Sequence, residues 1–238
     1  MVHLTGQERA DYVRDMFGRI AGRYDVMNRL MTFGQDMRWR RFVVRHAQLS
    51  RGAKLLDLAT GTGDIAFEAL KMQPEIQAVG ADFALPMMLV GQGRALGSRV
   101  QWSAADALNL PFADNTFDAV TSGYLVRNVI DIPRAFTEQL RVLKPGGRIV
   151  VLDSSPPPKN LLRPFIEIHL RYVIPTLGKL VVGKGGADAY QYLPSSTQAF
   201  KTPDELAALM RAAGLTHVEY KTFMFGTMAV HWGEKSNE

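Results

Sequence analysis

"AKLLDLATGTGDIA", residues 53–66, runs an apolar strand into a glycine-rich turn and on into the start of a helix. Leu55, Leu56 and Leu58 surround Asp57, and Gly61 and Gly63 strip the turn of side-chain bulk. Backbone can therefore come close to a ligand, and the free N–H groups at the helix start favour an anionic or polar group. From here onward short apolar runs alternate with helical patterns, with strands expected over 55–58, 76–81, 100–103, 117–122 and 148–152. That alternation predicts an α/β fold with a parallel, doubly wound sheet. Two later runs, 216–224 and 227–232, meet at Phe225-Gly226 as a hairpin, so the last strand should enter antiparallel and complete a Rossmann-like seven-stranded sheet.

Ahead of the sheet, 6–18 and 35–48 carry apolar and charged residues at helical spacing, which predicts a helical extension over 1–50. Residues 51–238 form the sheet-bearing part of what is expected to be a single structural unit. Its alternation is interrupted by an inserted cap, about 156–200, that opens on three prolines. After the cap Thr202-Pro203-Asp204-Glu205 announces a helix, with Thr202 as N-cap and Pro203 in the first helical position.

The bulk composition narrows the chemistry. The 238 residues contain no cysteine, which excludes disulfides, a thiolate nucleophile and cysteine-ligated zinc, and a cytoplasmic setting is expected. No His/Asp/Glu spacing suggests a metal. The charge of +5, from 28 Lys+Arg against 23 Asp+Glu, is too mild to select a partner. No basic patch with stacking aromatics points to nucleic acid. No apolar run approaches the roughly 18 residues of a membrane span, and the polar N-terminus does not read as a signal peptide.

Read literally, Gly61-x-Gly63-x-x-Ala66 with Asp82 about 20 residues on also fits a dinucleotide fingerprint. The glycine loop alone leaves NAD and S-adenosylmethionine both open. Three features favour S-adenosylmethionine. Asp57 lies near the loop for an amino acid end, Asp106 follows the third strand where an adenine amino group could donate, and the antiparallel end leaves no second mononucleotide half. The expected cofactor residues are Asp57, Thr60, Gly61, Thr62, Gly63, Asp82, Phe83, Asp106, Ala107 and Ser122. The plainer alternative makes Asp57 a brace of the loop and Asp106 a turn residue.

Asp57 to Asp64, Asp82, Asp106, "FDAV" at 117–120 and "LKPGG" at 143–147 together resemble the class I S-adenosylmethionine-dependent methyltransferases. More closely, "YDVMNRLMTFGQDMRW" at 24–39 and "RVLKPGGRIVVLDSS" at 141–155 are similar to the two signatures of the ubiquinone/menaquinone biosynthesis C-methyltransferase family. Arg127-Asn128-Val129, Tyr192-Leu193-Pro194-Ser195-Ser196, Phe200, Gly226 and His231 extend the resemblance over nearly the whole chain. The chain departs from it at Thr32 for Ser, Asp36 for His, Asp153 for Glu, and "SGYLVRN" before the Arg-Asn pair.

The resemblance implies C-methylation of a prenylated quinol, with another phenolic or enolic acceptor, an NAD-type oxidoreductase and a non-catalytic relative as alternatives. It implies Tyr24, Arg127 and Asn128 as catalytic residues. Arg127 would stabilise a phenolate as a fixed cation, Asn128 would orient the acceptor oxygen, and Tyr24 would relay a proton. Asp36 enters as a substitute base if it lines the pocket. The cap, with Leu161, Leu162, Phe165, Ile166, Leu170, Tyr172, Val173, Ile174, Leu177, Leu180, Val181 and Val182, is too apolar for one buried stripe. It reads as a channel for an isoprenoid tail with Arg163, Arg171, Lys179 and Lys184 at a membrane surface, or as a core or homodimer contact.

Overall fold

A computed structural model describes residues 6–158, 160–161, 163–181 and 187–237. Leu162, Val182, Lys184 and the side chains of Leu193, Pro194 and Ser195 lie outside the described residues. Seven strands form one sheet: β1 (Lys54–Leu58), β2 (Gln77–Asp82), β3 (Val100–Ala104), β4 (Phe117–Gly123), β5 (Leu143–Ser154), β6 (Leu215–Phe223) and β7 (Met228–Lys235). Their order is β3-β2-β1-β4-β5-β7-β6, with the first five parallel and β7 antiparallel to both neighbours. The expected fold class is the observed one. Strand β5 begins five residues before the expected 148, at Leu143, because Leu143 already pairs with Phe117 before the register shifts to Ala119 and Arg148.

Both faces of the sheet are covered, which is why its strands read as continuous apolar runs. Leu56, Leu58 and Val120 pack with Phe136 of α6 (Ile132–Val142) and with Leu206 and Met210 of α10 (Pro203–Ala212). Leu55, Ala119 and Val150 pack on the other face with Trp39 and Val43 of α3 (Asp36–His46) and with Ile65 and Phe67 of α4 (Asp64–Met72). Each fully buried leucine of this kind contributes about 1.5–3 kcal/mol. The expected cap of α10 is present: Thr202 Oγ1 accepts from the Glu205 N–H at 3.3 Å, and Glu205 accepts from the Thr202 N–H at 2.7 Å.

A third cluster lies apart from the sheet core and builds the site. Met16 and Ile20 of α1 (Gly6–Ile20) and Met27 and Met31 of α2 (Tyr24–Met31) meet the cap residues Ile166, Leu170, Ile174 and Tyr190. The cap helix runs as α7 (Arg163–Ile168), a π-helical turn (His169–Val173) and α8 (Ile174–Val181), and α9 (Ala187–Gln198) packs back on it. Helix α5 (Leu85–Gln92) follows β2 and touches α1.

Candidate active site

The loop after β1 takes its shape from two glycines with left-handed backbone, Gly61 at φ 56° and Gly63 at φ 86°. A β-carbon on Gly63 would stand 2.8 Å from Trp102 and 2.9 Å from Phe67, so packing as well as conformation demands glycine there. Asp57 turns inward beneath the loop. Its carboxylate accepts from Thr60 Oγ1 at 2.7 Å, Thr121 Oγ1 at 3.0 Å and the Ala66 N–H at 3.3 Å, and burial pushes it up to about 6. Asp82 ties the loop to β2 by accepting from the N–H groups of Gly61 and Ala84, each at 2.8 Å.

A narrow groove of about 50 Å³ runs over this loop. Of the expected cofactor residues, Gly61, Asp82 and Phe83 line it, and Asn128 joins them. Thr60 bonds to Asp57, while Thr62 Oγ1 donates to Asp25 of α2 at 2.7 Å, so both hydroxyls serve the loop. Asp57, Thr60, Thr62 and Gly63 shape the loop without lining the groove, and Ser122, Asp106 and Ala107 also sit off it. Ser122 is enclosed, and its neighbour Gly123 lines the groove instead. Asp106 is exposed and accepts from the Leu108 N–H at 2.9 Å as a turn residue, and Ala107 packs into the sheet core. Sequence reasoning missed Ala59 and Ala84, which line the groove because they follow the ends of β1 and β2, and Met87, which reaches it from the first turn of α5.

Beside the groove lies a cavity of about 400 Å³, walled by α1, α2, the cap and the turn before β7. It is apolar with a few polar residues, among them Tyr24, Asn28, Arg127, Ser154, His169, Tyr190 and Thr197. Phe17, Tyr24 and Tyr124 border both groove and cavity, so the two spaces share one aromatic wall. Burial pushes the Tyr24 phenol above its ordinary value, against the pull of Asn28, Arg40 and Arg127, which leaves it neutral near pH 7.

Arg127 reaches the cavity from the loop after β4. Its backbone N–H donates to Asp153 at 3.1 Å, one guanidinium nitrogen donates to Ser154 Oγ at 2.8 Å, and the guanidinium lies 5.0 Å from the centre of the Tyr124 ring. Its Nε is buried with no partner. Asn128 is spent otherwise: its amide donates to the Tyr124 carbonyl at 2.7 Å and its oxygen accepts from Tyr192 at 3.3 Å. It lines the groove and is absent from the cavity wall, so the expected contact with an acceptor oxygen is not in this arrangement.

Asp36 does not line the cavity either, which corrects the expectation of a substitute base. It is 0 % exposed and ion-paired to Arg29 and to Arg40, with Thr32 donating to it at 3.2 Å. Arg29 and Arg40 also hold Asp64 of α4, at 3.1 and 3.2 Å. Asp64 is bonded in turn by Arg94 at 2.8 Å, and Arg94 reaches Asp25 at 3.1 Å. Three arginines and three aspartates thus bolt α2 and α3 to the start of α4, where the glycine loop ends.

Backbone strain concentrates at the same place. Of eight non-glycine residues with positive φ among those described, Phe33, Ala59, Tyr124, Met224 and Phe225 line the groove or the cavity. Left-handed backbone at bulky residues costs energy that surrounding structure must offset, and such positions gather at functional sites.

The profile of the ubiE/COQ5 methyltransferase family matches residues 5–235. The chain belongs to this family. A Desulfotalea psychrophila protein named ubiquinone/menaquinone biosynthesis C-methyltransferase UbiE is 50% identical over 223 residues, 94% of this chain and 90% of that one. A Thermus thermophilus demethylmenaquinone methyltransferase is 46% identical over 222 residues, covering 92% of this chain and 100% of that one. The fold is similar to that of the [4+2]-cyclase SpnF, with a TM-score of 0.70, 19% identity and 100% and 98% of the two chains covered. As a ubiE/COQ5 family member the chain is a methyltransferase that uses S-adenosylmethionine, and the NAD alternative falls away. The groove's chemistry fits that cofactor: a glycine floor at Gly61 and Gly123 and a carboxylate, Asp82, at a strand end.

Proposed function

We propose that this chain methylates the free ring carbon of a prenylated hydroquinone, of the kind named for its relatives, demethylmenaquinol first among them. One observation carries the reading: the groove and the 400 Å³ cavity share the wall of Phe17, Tyr24 and Tyr124, with Arg127 on the cavity side. The cofactor supplies an activated methyl group. Gly61, Asp82 and Phe83 would hold it, and the roof of Val13 and Phe17 must yield to admit it, since about 50 Å³ is small for a nucleoside.

The residues of the cavity have one task, to make a ring carbon nucleophilic and hold it in line. A phenol of ordinary pKa about 10 ionises more readily beside a fixed cation in an apolar chamber. Arg127 supplies that cation and cannot act as a base. Ser154 at 2.8 Å and Asp153 at 3.8 Å from the same guanidinium nitrogen aim it, and its unpartnered Nε is free for the phenolate oxygen. Tyr24, neutral and at the shared wall, can donate while it accepts, which suits a relay.

The cavity's mouth supports the greasy-tail reading. Phe33, Phe165 and Phe225 line the cavity and are also 76 %, 71 % and 69 % exposed. Leu161, Ile168, Tyr172 and Leu180 are exposed nearby in the chain, with Arg163, Arg171 and Lys179 interspersed. No helix among the described residues is long and apolar enough to cross a membrane. This face therefore rests on the bilayer surface from the cytoplasmic side, with the tail passing between the three phenylalanines. The test is incubation with labelled S-adenosylmethionine and chemically reduced membrane-lipid extract, with and without liposomes. Label in a quinone-type lipid supports the reading. A dimer in solution that seals the mouth would contradict the surface part, and no labelled lipid would contradict the whole.

A further inference from the structure

The cavity holds more unmet hydrogen-bonding capacity than one acceptor oxygen can use. Arg127 Nε, His169 Nε2 and the Tyr190 hydroxyl are all buried without a partner, and all three residues line it. Buried polar groups are rarely left unpaired, and an apolar chamber with several of them is built for a polar guest. They belong to two places. Arg127 sits past the end of the central strand β4, beside Asp153 and Ser154 at the end of β5, while His169 and Tyr190 come from the cap.

His169 is presented by an irregular backbone. It opens the π-helical turn His169–Val173 between α7 and α8, a wider turn that re-aims side chains and recurs at functional sites. Its ring lies 6.0 Å from that of Phe33, one of the exposed phenylalanines at the mouth. Tyr190 reaches the cavity over Gly178, where a β-carbon would stand 2.6 Å from its ring.

A 1,4-dihydroxy ring has two oxygens, and the carbon to be methylated lies between one oxygen-bearing carbon and the carbon that carries the tail. With the first oxygen at Arg127 and the tail leaving by the mouth, the second oxygen falls on the mouth side. We propose that His169, aided by Tyr190, binds this second ring oxygen and so selects dihydroxy acceptors. The proposal rests on the hydroquinone reading above and makes His169 a residue of acceptor specificity.

The test crosses three variants with two acceptors: 2-prenyl-1,4-naphthoquinol, and the analogue lacking the hydroxyl next to the tail-bearing carbon. For the wild type the analogue should show a KM about tenfold higher, the worth of one hydrogen bond. His169→Phe should raise KM about tenfold for the quinol and leave the analogue unchanged, while His169→Gln, which keeps a polar group near Nε2, should recover much of the loss. Tyr190→Phe should act in the same direction. If His169→Phe affects both acceptors alike, or neither, the assignment is overturned. If the wild type methylates neither acceptor, the hydroquinone reading falls with it.

Discussion

Replacing Asp36 by asparagine removes one negative charge from a site with no exposure while keeping its shape. Arg40, only 4 % exposed, would then share Asp64 with Arg29 and Arg94, leaving two aspartates, Asp25 and Asp64, for three arginines. Breaking a buried ion pair from one side costs about 3–5 kcal/mol, because the remaining charge stays desolvated. Against a total stability of about 5–15 kcal/mol that is a large fraction, and at about 2–4 °C per kcal/mol it lowers Tm by roughly 10 °C. Urea unfolding monitored by tryptophan fluorescence measures it directly. Asp36→His, which restores the family residue, should fare no better in this chain, since an imidazole between two guanidinium groups adds no negative charge. Asp36→Asn combined with Arg40→Met should regain much of the loss, because both buried charges are gone. The same network ends at the glycine loop, so Asp36→Asn should also weaken S-adenosylmethionine binding. A variant within 0.5 kcal/mol of the parent would refute the account of this cluster.

Arg127→Met should lower kcat by about 10²–10³, the scale of losing one aimed donor to a developing oxyanion, with cofactor affinity nearly unchanged; a variant that keeps most of its rate sinks the phenolate role. Asp82→Ala should weaken cofactor binding about tenfold or more by calorimetry, since the loop loses its tie to Gly61 as well as a ligand-facing carboxylate; unchanged affinity would remove Asp82 from the site. His231 is buried, its Nε2 lies 2.9 Å from the Pro203 carbonyl, and burial pushes it down to about 4 from 6.5. Between those values the unfolded chain holds the extra proton, so this contribution is fully present above pH 6.5 and is lost as pH falls towards 4, about 3 kcal/mol in all. Asp57, raised to about 6, works in the opposite sense over 3.8 to 6, being relatively more favourable at low pH. The clean readout is therefore the difference between parent and His231→Gln at pH 4.5 and pH 7, and a pH-independent difference would contradict the buried neutral histidine.

The sheet was legible because its signals are local. Leu55, Leu56 and Leu58 with Gly61 and Gly63 mark a strand and its turn within ten residues, and Thr202 to Glu205 spells out a helix start. The site was legible only where strand ends decide it, as at Gly61 and Asp82. Thr62 reads as a ligand contact, yet its hydroxyl goes to Asp25, 37 residues away, a pairing that depends on how α2 folds back. Asp36 fits a pocket base by its place in the signature, but the aspartate at 64 and the arginines at 29 and 40 draw it into an ion cluster. His169 escaped because helical spacing gives no warning of a π turn, although a lone histidine within "FIEIHLRYVI" was the available sign.

The most direct test of the account is a reaction with ¹³C-methyl S-adenosylmethionine and reduced 2-prenyl-1,4-naphthoquinol, with the product examined by carbon NMR after reoxidation. The account predicts one labelled methyl on the ring carbon between the tail-bearing carbon and an oxygenated carbon. Label on oxygen, or none in the quinol while S-adenosylmethionine still binds, would contradict it.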